Sequence, residues 1–121
     1  MNIVTLTLNP AIDVSMSVRQ MVAERKLRSS RPVYEPGGGG INVSRVIKEL
    51  GEESLAIYTG GGTTGRMLES LLEEQQINQK RIRIRDRTRE DIAVHEDSSK
   101  RLYRVVTPGP EIDSDEQKDI L

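Results

Sequence analysis

The chain has 121 residues, 31% of them charged and 35% hydrophobic, with a net charge of −1 and no cysteine. The balanced charge removes any global pull toward nucleic acid or an anionic membrane. The missing cysteines exclude disulfides and thiolate metal sites, and a single histidine excludes a multi-histidine metal site. The length suits one modest domain or a piece of a larger one. No apolar run approaches a membrane span, and the N-terminus lacks the basic start and small-residue cleavage site of a signal peptide. A cytoplasmic location is therefore the default expectation. Phe and Trp are absent, and the only aromatics are Tyr34, Tyr58 and Tyr103. A core built from Ile, Leu, Val and Met alone is thin for a self-sufficient domain, so part of a larger protein is expected to be missing.

In chain order, Ile3 to Leu8 is β-branched and apolar enough for a strand, and Asn9-Pro10 stops it. Ala11-Ile12-Asp13 then leaves the strand end. In open α/β sheets such positions line the ligand crevice, so Asp13 is a candidate hydroxyl anchor, with a solvated turn aspartate as the alternative. Val14 to Val18 alternates as a half-exposed strand does. Arg28 to Tyr34 reads as a strand through Pro32-Val33-Tyr34, with Pro32 restricting it to an edge or a strand start.

Next comes Pro36-Gly37-Gly38-Gly39-Gly40-Ile41-Asn42-Val43, four consecutive glycines running into a helix. Such a loop lets backbone N–H groups approach a ligand with no Cβ in the way, at the positive end of the helix dipole. Asn42 on the first turn can turn its amide toward that ligand. Val43, Val46, Ile47 and Leu50 follow helical spacing and predict one buried face, with Gly51 at the C′ position. Ser54 to Thr59 is a short strand, and Gly60 to Gly65 a second glycine run. Met67, Leu68, Leu71 and Leu72 form the face of the next helix, with Thr63 or Thr64 as its N-cap.

Neither glycine run is a P-loop, because no Lys-Ser/Thr pair follows either one. Gly60, Gly62 and Gly65 match a dinucleotide fingerprint literally, but the run does not follow the first strand of the unit and only Asp86 could serve as the ribose carboxylate. A tight turn capping a packed helix is the simpler reading.

Arg81-Ile82-Arg83-Ile84-Arg85 alternates strictly and predicts a strand. Arginine recurs every second residue from Arg81 to Arg89. This admits a nucleic-acid surface, a solvated strand face, or one arginine gripping a phosphate. The acidic remainder of the chain and the lack of nearby aromatic rings for stacking oppose the first. Asp91 to His95 and Arg101 to Val106 look like two strands joined by Asp97-Ser98-Ser99-Lys100, and His95 reads as a strand residue. Thr107-Pro108-Gly109-Pro110 breaks the chain, and a helix starts near Ser114, spaced from Gln117 as in a capping box. The sequence stops soon after that start.

Three stretches, Leu6-Thr7-Leu8-Asn9-Pro10-Ala11-Ile12-Asp13, Glu35 through Arg45, and Thr107-Pro108-Gly109-Pro110, give the chain a resemblance to the ribokinase-like (PfkB) sugar kinases. Within them it resembles the phosphosugar branch of 6-phosphofructokinases, 1-phosphofructokinases and tagatose-6-phosphate kinases. Most of that branch carries G-G-K-G in the central loop, where this chain has glycine for lysine. That variant, with Lys26-Leu27-Arg28 upstream and Thr88-Arg89 and Val94-His95 downstream, resembles the isozyme-2 group of bacterial 6-phosphofructokinases.

The resemblance implies an α/β fold: the N-terminal part of a three-layer α/β/α domain with a small β-sheet lid. The lid strands would lie at about 14–18, 28–34, 91–95 and 101–106, and the lids of two subunits would clasp as a homodimer. It further implies a phosphorylated sugar bound by Asp13, Gly38, Gly39, Gly40, Asn42 and Arg89, with Asp13 on sugar hydroxyls and Arg89 on the phosphate. Lys26 matches a lysine associated with regulatory ATP. The expected activity is ATP-dependent phosphorylation of fructose 6-phosphate at its 1-hydroxyl, a step of glycolysis, with ATP and Mg2+ as cofactors of the full-length enzyme and neither nucleic acid nor membrane as partner. The family's catalytic aspartate lies in a G-x-G-D motif in the half that binds ATP, and no G-x-G-D occurs in this chain. The segment is thus expected to carry much of the substrate site and the lid, with no catalytic residue or metal ligand, and to be inactive alone. A non-catalytic sugar-phosphate-binding or dimerisation module is the alternative, and an arginine-strand nucleic-acid binder a weaker one.

Overall fold

The computed structural model describes residues 2–121. The β-branched N-terminal run forms β1 (Val4–Thr7), followed by β2 (Ala11–Val18), β3 (Val33–Gly37), α1 (Gly39–Glu49) and β4 (Leu55–Gly61). Then come α2 (Gly62–Glu74), β5 (Asn78–Ile84), β6 (Arg89–Glu96), β7 (Leu102–Val105) and α3 (Ser114–Ile120). Among the described residues the strands form two sheets. One is parallel, in the order β1-β4-β5, and the helices α1 and α2 connect its strands. The other is mixed, in the order β3-β2-β6-β7. In it β2 runs antiparallel to β3 and parallel to β6, and β7 returns antiparallel to β6. The β2–β3 pair is inserted between β1 and α1, and β6–β7 follows β5. The second sheet therefore interrupts an otherwise regular α/β alternation.

Helices α1 and α2 cover one face of the parallel sheet. Thr5 and Thr7 of β1 point into α1: the Thr5 and Ser44 hydroxyls lie 2.7 Å apart, and the Ile41 N–H donates to Thr7 Oγ1 at 3.1 Å. The core joins Ile12, Val14, Ile41, Ala56, Tyr58, Leu68, Leu72 and Ile77. Burial, with Glu69 beside it, pushes the Tyr58 phenol well above its ordinary range, so it stays neutral and donates to Gln79. On the opposite face of β1, Val4 and Leu6 remain exposed, so the first strand is buried on one side only.

Several local expectations shift. Helix α1 starts at Gly39 with Gly38 as N-cap, so half of the glycine run is helical. Its inward side is Ile41 and Ser44, whereas of the predicted face Val43, Val46 and Leu50 are 51%, 53% and 76% exposed and Ile47 is half-buried. The reason is a buried string of hydroxyls, Thr5–Ser44–Ser54, which satisfies polar groups that a binary pattern assigns to the surface. Gly51 does take the C′ position, with φ of 84°. The N-cap of α2 is Gly61, because Thr64 lies inside the first turn and donates its hydroxyl to the Thr88 carbonyl. Helix α3 is capped by Asp113 with Glu116, one residue ahead of the Ser114–Gln117 pair. Strand β2 begins at Ala11, so Asp13 is a strand residue rather than a turn residue. The strand expected over 28–34 is found at Val33–Gly37 instead. Edge position explains this: among the described residues β3 pairs only with β2, so Pro36 can sit within it without breaking an inner ladder.

Candidate functional site

Alternation along β2 places Asp13 on the opposite side of the strand from the buried Ile12 and Val14. The register sets Asp13 directly between Glu35 of β3 and Asp91 of β6. Directly paired residues share a sheet face, so three carboxylates stand abreast. Partial burial and the neighbouring Asp91 raise the Asp13 carboxyl above its ordinary range, with Glu35 adding to this and Arg104 and Arg89 opposing it. A small cavity of about 110 Å³ is lined by Asp13, Ser15, Asp91, Ala93, Arg104 and Val106.

The glycine run passes beside this row. Gly37 ends β3, and a Cβ there would fall 2.6 Å from Asp13 Cγ. Gly38 has φ of 125°, and a Cβ would fall 2.7 Å from Thr7 Cγ2. At Gly40 a Cβ would fall 2.5 Å from Thr7 Oγ1. The protein's own packing therefore accounts for glycine at these three positions. Gly39 differs: its φ lies outside the left-handed region and nothing stands within 4 Å of its Cβ position. Glycine in a helix costs roughly 0.5–1 kcal/mol relative to alanine, and no internal contact here requires it. The open space over Gly39 lies at the helix N-terminus, where the first amides have no intrahelical acceptor. Asn42 is exposed on the same first turn.

Arg89 opens β6. It pairs with Asp91 at 3.1 Å, donates from Nη2 to the Asn9 carbonyl at 3.2 Å, and keeps Nε buried. The preceding Thr88 is fully enclosed: its hydroxyl accepts from the Gly61 N–H, its own N–H donates to the Gly61 carbonyl, and its carbonyl accepts from Thr64. Asp91 also accepts the Thr107 N–H at 3.1 Å. Gly109 packs so closely on Asn9 that a Cβ would fall 2.7 Å from Asn9 Cγ. Asn9-Pro10, the glycine run, Arg89 and the 107–109 turn thus converge around Asp13.

Asp91, Thr107 and Asn9 escape a reading of sequence motifs as site residues. A signal existed for Asp91, since the two-residue spacing from Arg89 in an alternating strand puts both side chains on one face.

The alternating arginines do not form one surface. Arg81 pairs with Glu69, Arg85 with Asp113 and Glu116, Arg87 with Glu90 and Arg89 with Asp91. Arg81 is largely buried against α2 rather than on a solvated strand face, and a nucleic-acid reading is not favoured. Lys26 lies beyond the far end of β2, lining a separate hollow with Arg19, Arg25 and Arg28. That end is about 16 Å of strand away from Asp13. His95 is a half-exposed strand residue 3.5 Å from Asp97. Among the described residues no group of three or more His, Asp or Glu side chains is placed to hold a metal ion, and no helix is long and apolar enough to cross a membrane.

Comparison with known proteins gives a consistent result. Residues 6–120 match the family described as pfkB family carbohydrate kinase. The chain is 44% identical over 114 residues to the ATP-dependent 6-phosphofructokinase isozyme 2 of Escherichia coli (strain K12), covering 94% of this chain and 37% of that protein. It is 33% identical to the tagatose-6-phosphate kinase of Staphylococcus epidermidis, covering 97% of this chain and 37% of the relative. Among solved structures, that of phosphofructokinase-2 from E. coli in complex with fructose 6-phosphate superposes with a TM-score of 0.93 at 42% identity, over 98% of this chain and 39% of that one. The chain thus spans little more than a third of the length of the curated relatives it matches.

Proposed function

Because this chain belongs to the pfkB family of carbohydrate kinases, we propose that it forms the sugar-phosphate-binding part of an ATP-dependent phosphosugar kinase. The proposed acceptor is fructose 6-phosphate, phosphorylated at its 1-hydroxyl. The observation that carries this reading is Gly39, whose missing side chain serves no internal contact and leaves the helix N-terminus open. A ligand held on that backbone accounts for the glycine.

In this assignment Asp13 accepts hydrogen bonds from sugar hydroxyls, and its position in a strand fixes the carboxylate relative to the loop. Gly38, Gly39 and Gly40 form the loop against which the ligand sits, with the open approach to the backbone over Gly39, and Asn42 adds a side-chain amide from the first turn. Arg89, already oriented by Asp91 and the Asn9 carbonyl, offers its remaining N–H groups to the 6-phosphate. The second sheet serves as the lid and as the surface through which two copies associate. Lys26, among Arg19, Arg25 and Arg28, is assigned to a regulatory ATP.

The phosphoryl donor, ATP with Mg2+, does not fit the residues described here. The second glycine run is closed by its own neighbours, with the Gly61 N–H donating to Thr88 and a Cβ at Gly61 falling 2.6 Å from the Ile84 carbonyl oxygen. No phosphoryl-transfer step is assigned to this chain's residues. Titration calorimetry of the protein with fructose 6-phosphate and tagatose 6-phosphate tests the reading. Saturable binding of at least one supports it, and heats indistinguishable from dilution for both would refute it.

A further inference from the structure

Arg89 and Asp13 approach each other from adjacent strands, and one residue touches the surroundings of both. Asp91 lies two residues after Arg89 in β6 and directly opposite Asp13 in β2. Its carboxylate holds the Arg89 guanidinium at 3.1 Å and accepts the Thr107 N–H at 3.1 Å. The Thr107 hydroxyl in turn donates to the Glu90 carbonyl at 2.8 Å, which ties the turn after β7 back onto β6. Both members of the Arg89–Asp91 pair are largely shielded, with side chains 16% and 18% exposed. This is unlike the exposed Arg87–Glu90 pair nearby, at 63% and 41%. A shielded pair has a fixed geometry, whereas an exposed one exchanges readily with water.

The guanidinium is a planar fork with five N–H donors. Nη1 donates to the Asp91 carboxylate, 3.1 and 3.3 Å from its two oxygens, and Nη2 donates to the Asn9 carbonyl, while the buried Nε has no hydrogen-bond partner among the described residues. Nη2 carries a second N–H beyond the one that Asn9 takes, and the guanidinium plane is set by Asp91 from β6 and by Asn9 from the bend between β1 and β2. We propose that Asp91 is a positioning residue of the sugar-phosphate site, acting through Arg89: it fixes the guanidinium plane and locks the 107–109 turn beside it, so that the cation presents a preformed fork to the phosphate group. This assignment rests on the sugar-phosphate reading given above.

The charges facing Asp91 come from every neighbouring strand. Asp13 stands beside it on β2 and Glu35 beyond that on β3, with Arg89 on its own strand and Arg104 on β7. Two arginines thus face three carboxylates, and Asp91 is the one that holds an arginine in a shielded ion pair.

A double-mutant cycle tests the assignment, using calorimetric Kd for fructose 6-phosphate on purified protein that carries this chain. Asp91→Ala weakens binding about tenfold in the unsubstituted background, the loss expected when one charge-assisted contact no longer orients the fork. In the Arg89→Ala background the same change alters Kd by less than about twofold, because the partner it acts through is gone. Asp91→Asn repeats the comparison with the fold secured, since its Oδ1 still accepts the Thr107 N–H while the ion pair is lost. Equal losses in both backgrounds, or no loss from either substitution in the unsubstituted protein, would overturn the assignment and leave the sugar-phosphate reading standing. Absence of binding by the unsubstituted protein to fructose 6-phosphate and to tagatose 6-phosphate alike would overturn both.

Discussion

The Asp13 carboxylate lies over the backbone of Gly37, so close that a methyl group at Gly37 would sit 2.6 Å from Asp13 Cγ. The two residues belong to neighbouring strands of one sheet, with Gly37 paired to Ala11, two residues before Asp13. The glycine run and the aspartate are therefore one construction: the first supplies the space that the second occupies.

Gly37→Ala is expected to destabilise the protein by about 1–3 kcal/mol through overpacking. It should also weaken sugar-phosphate binding, because the carboxylate must move. Denaturant melts and calorimetry on the same sample check both effects. A variant as stable as the parent would show that Asp13 can relax without cost.

Gly39→Ala should behave in the opposite way on stability. Nothing stands near its Cβ position and it lies in the first turn of α1, so alanine should add about 0.5–1 kcal/mol. If the open space is where the sugar phosphate approaches, the same variant loses affinity while gaining stability. Equal affinity in a stabilised variant would place the ligand elsewhere.

Thr88→Val is isosteric and removes a hydroxyl that accepts from the buried Gly61 N–H. Leaving that donor unsatisfied costs about 1–3 kcal/mol. The readout is the midpoint of thermal unfolding, which should fall; an unchanged midpoint would mean that the amide finds another acceptor.

Asp13 and Glu96 should respond to pH with opposite signs. The Asp13 carboxyl is raised by burial and by Asp91, so the folded state holds its proton more tightly than the unfolded state does. Its ionisation then costs stability as pH rises from about 4 through the raised value. Asp13→Asn should accordingly melt higher than the parent at neutral pH, with the gap closing in acid. Glu96 is held below its ordinary range by hydrogen bonds from Ser99 and the Met21 N–H. Its contribution is present at neutral pH and is lost as pH falls through the lowered value, so Glu96→Gln should melt lower at neutral pH and converge with the parent in acid. Melting curves across a pH series decide both, and curves parallel to the parent's at every pH would contradict the assigned shifts.

Much of the architecture was legible in periodicity. The alternation of Arg81–Arg85 and the helical spacing of Leu68 and Leu72 fix β5 and α2 through local pattern alone. The face of α1 was not legible, because Ser44 is buried by partners 39 and 10 residues away in sequence. The same holds for the cap of α2, where Thr64 serves Thr88 rather than its own helix. In the site, the glycine run and Asp13 stand out as motif residues. Asp91 does not, since its role arises from the parallel pairing of β2 with β6, a contact made across nearly 80 residues of chain.

The most direct test of the central claim is calorimetric titration with fructose 6-phosphate of protein carrying this chain, with and without Arg89→Ala. The account predicts saturable binding that weakens by about tenfold or more when the arginine is removed. Binding of equal strength in the two proteins, or none in the parent to fructose 6-phosphate or tagatose 6-phosphate, would contradict it.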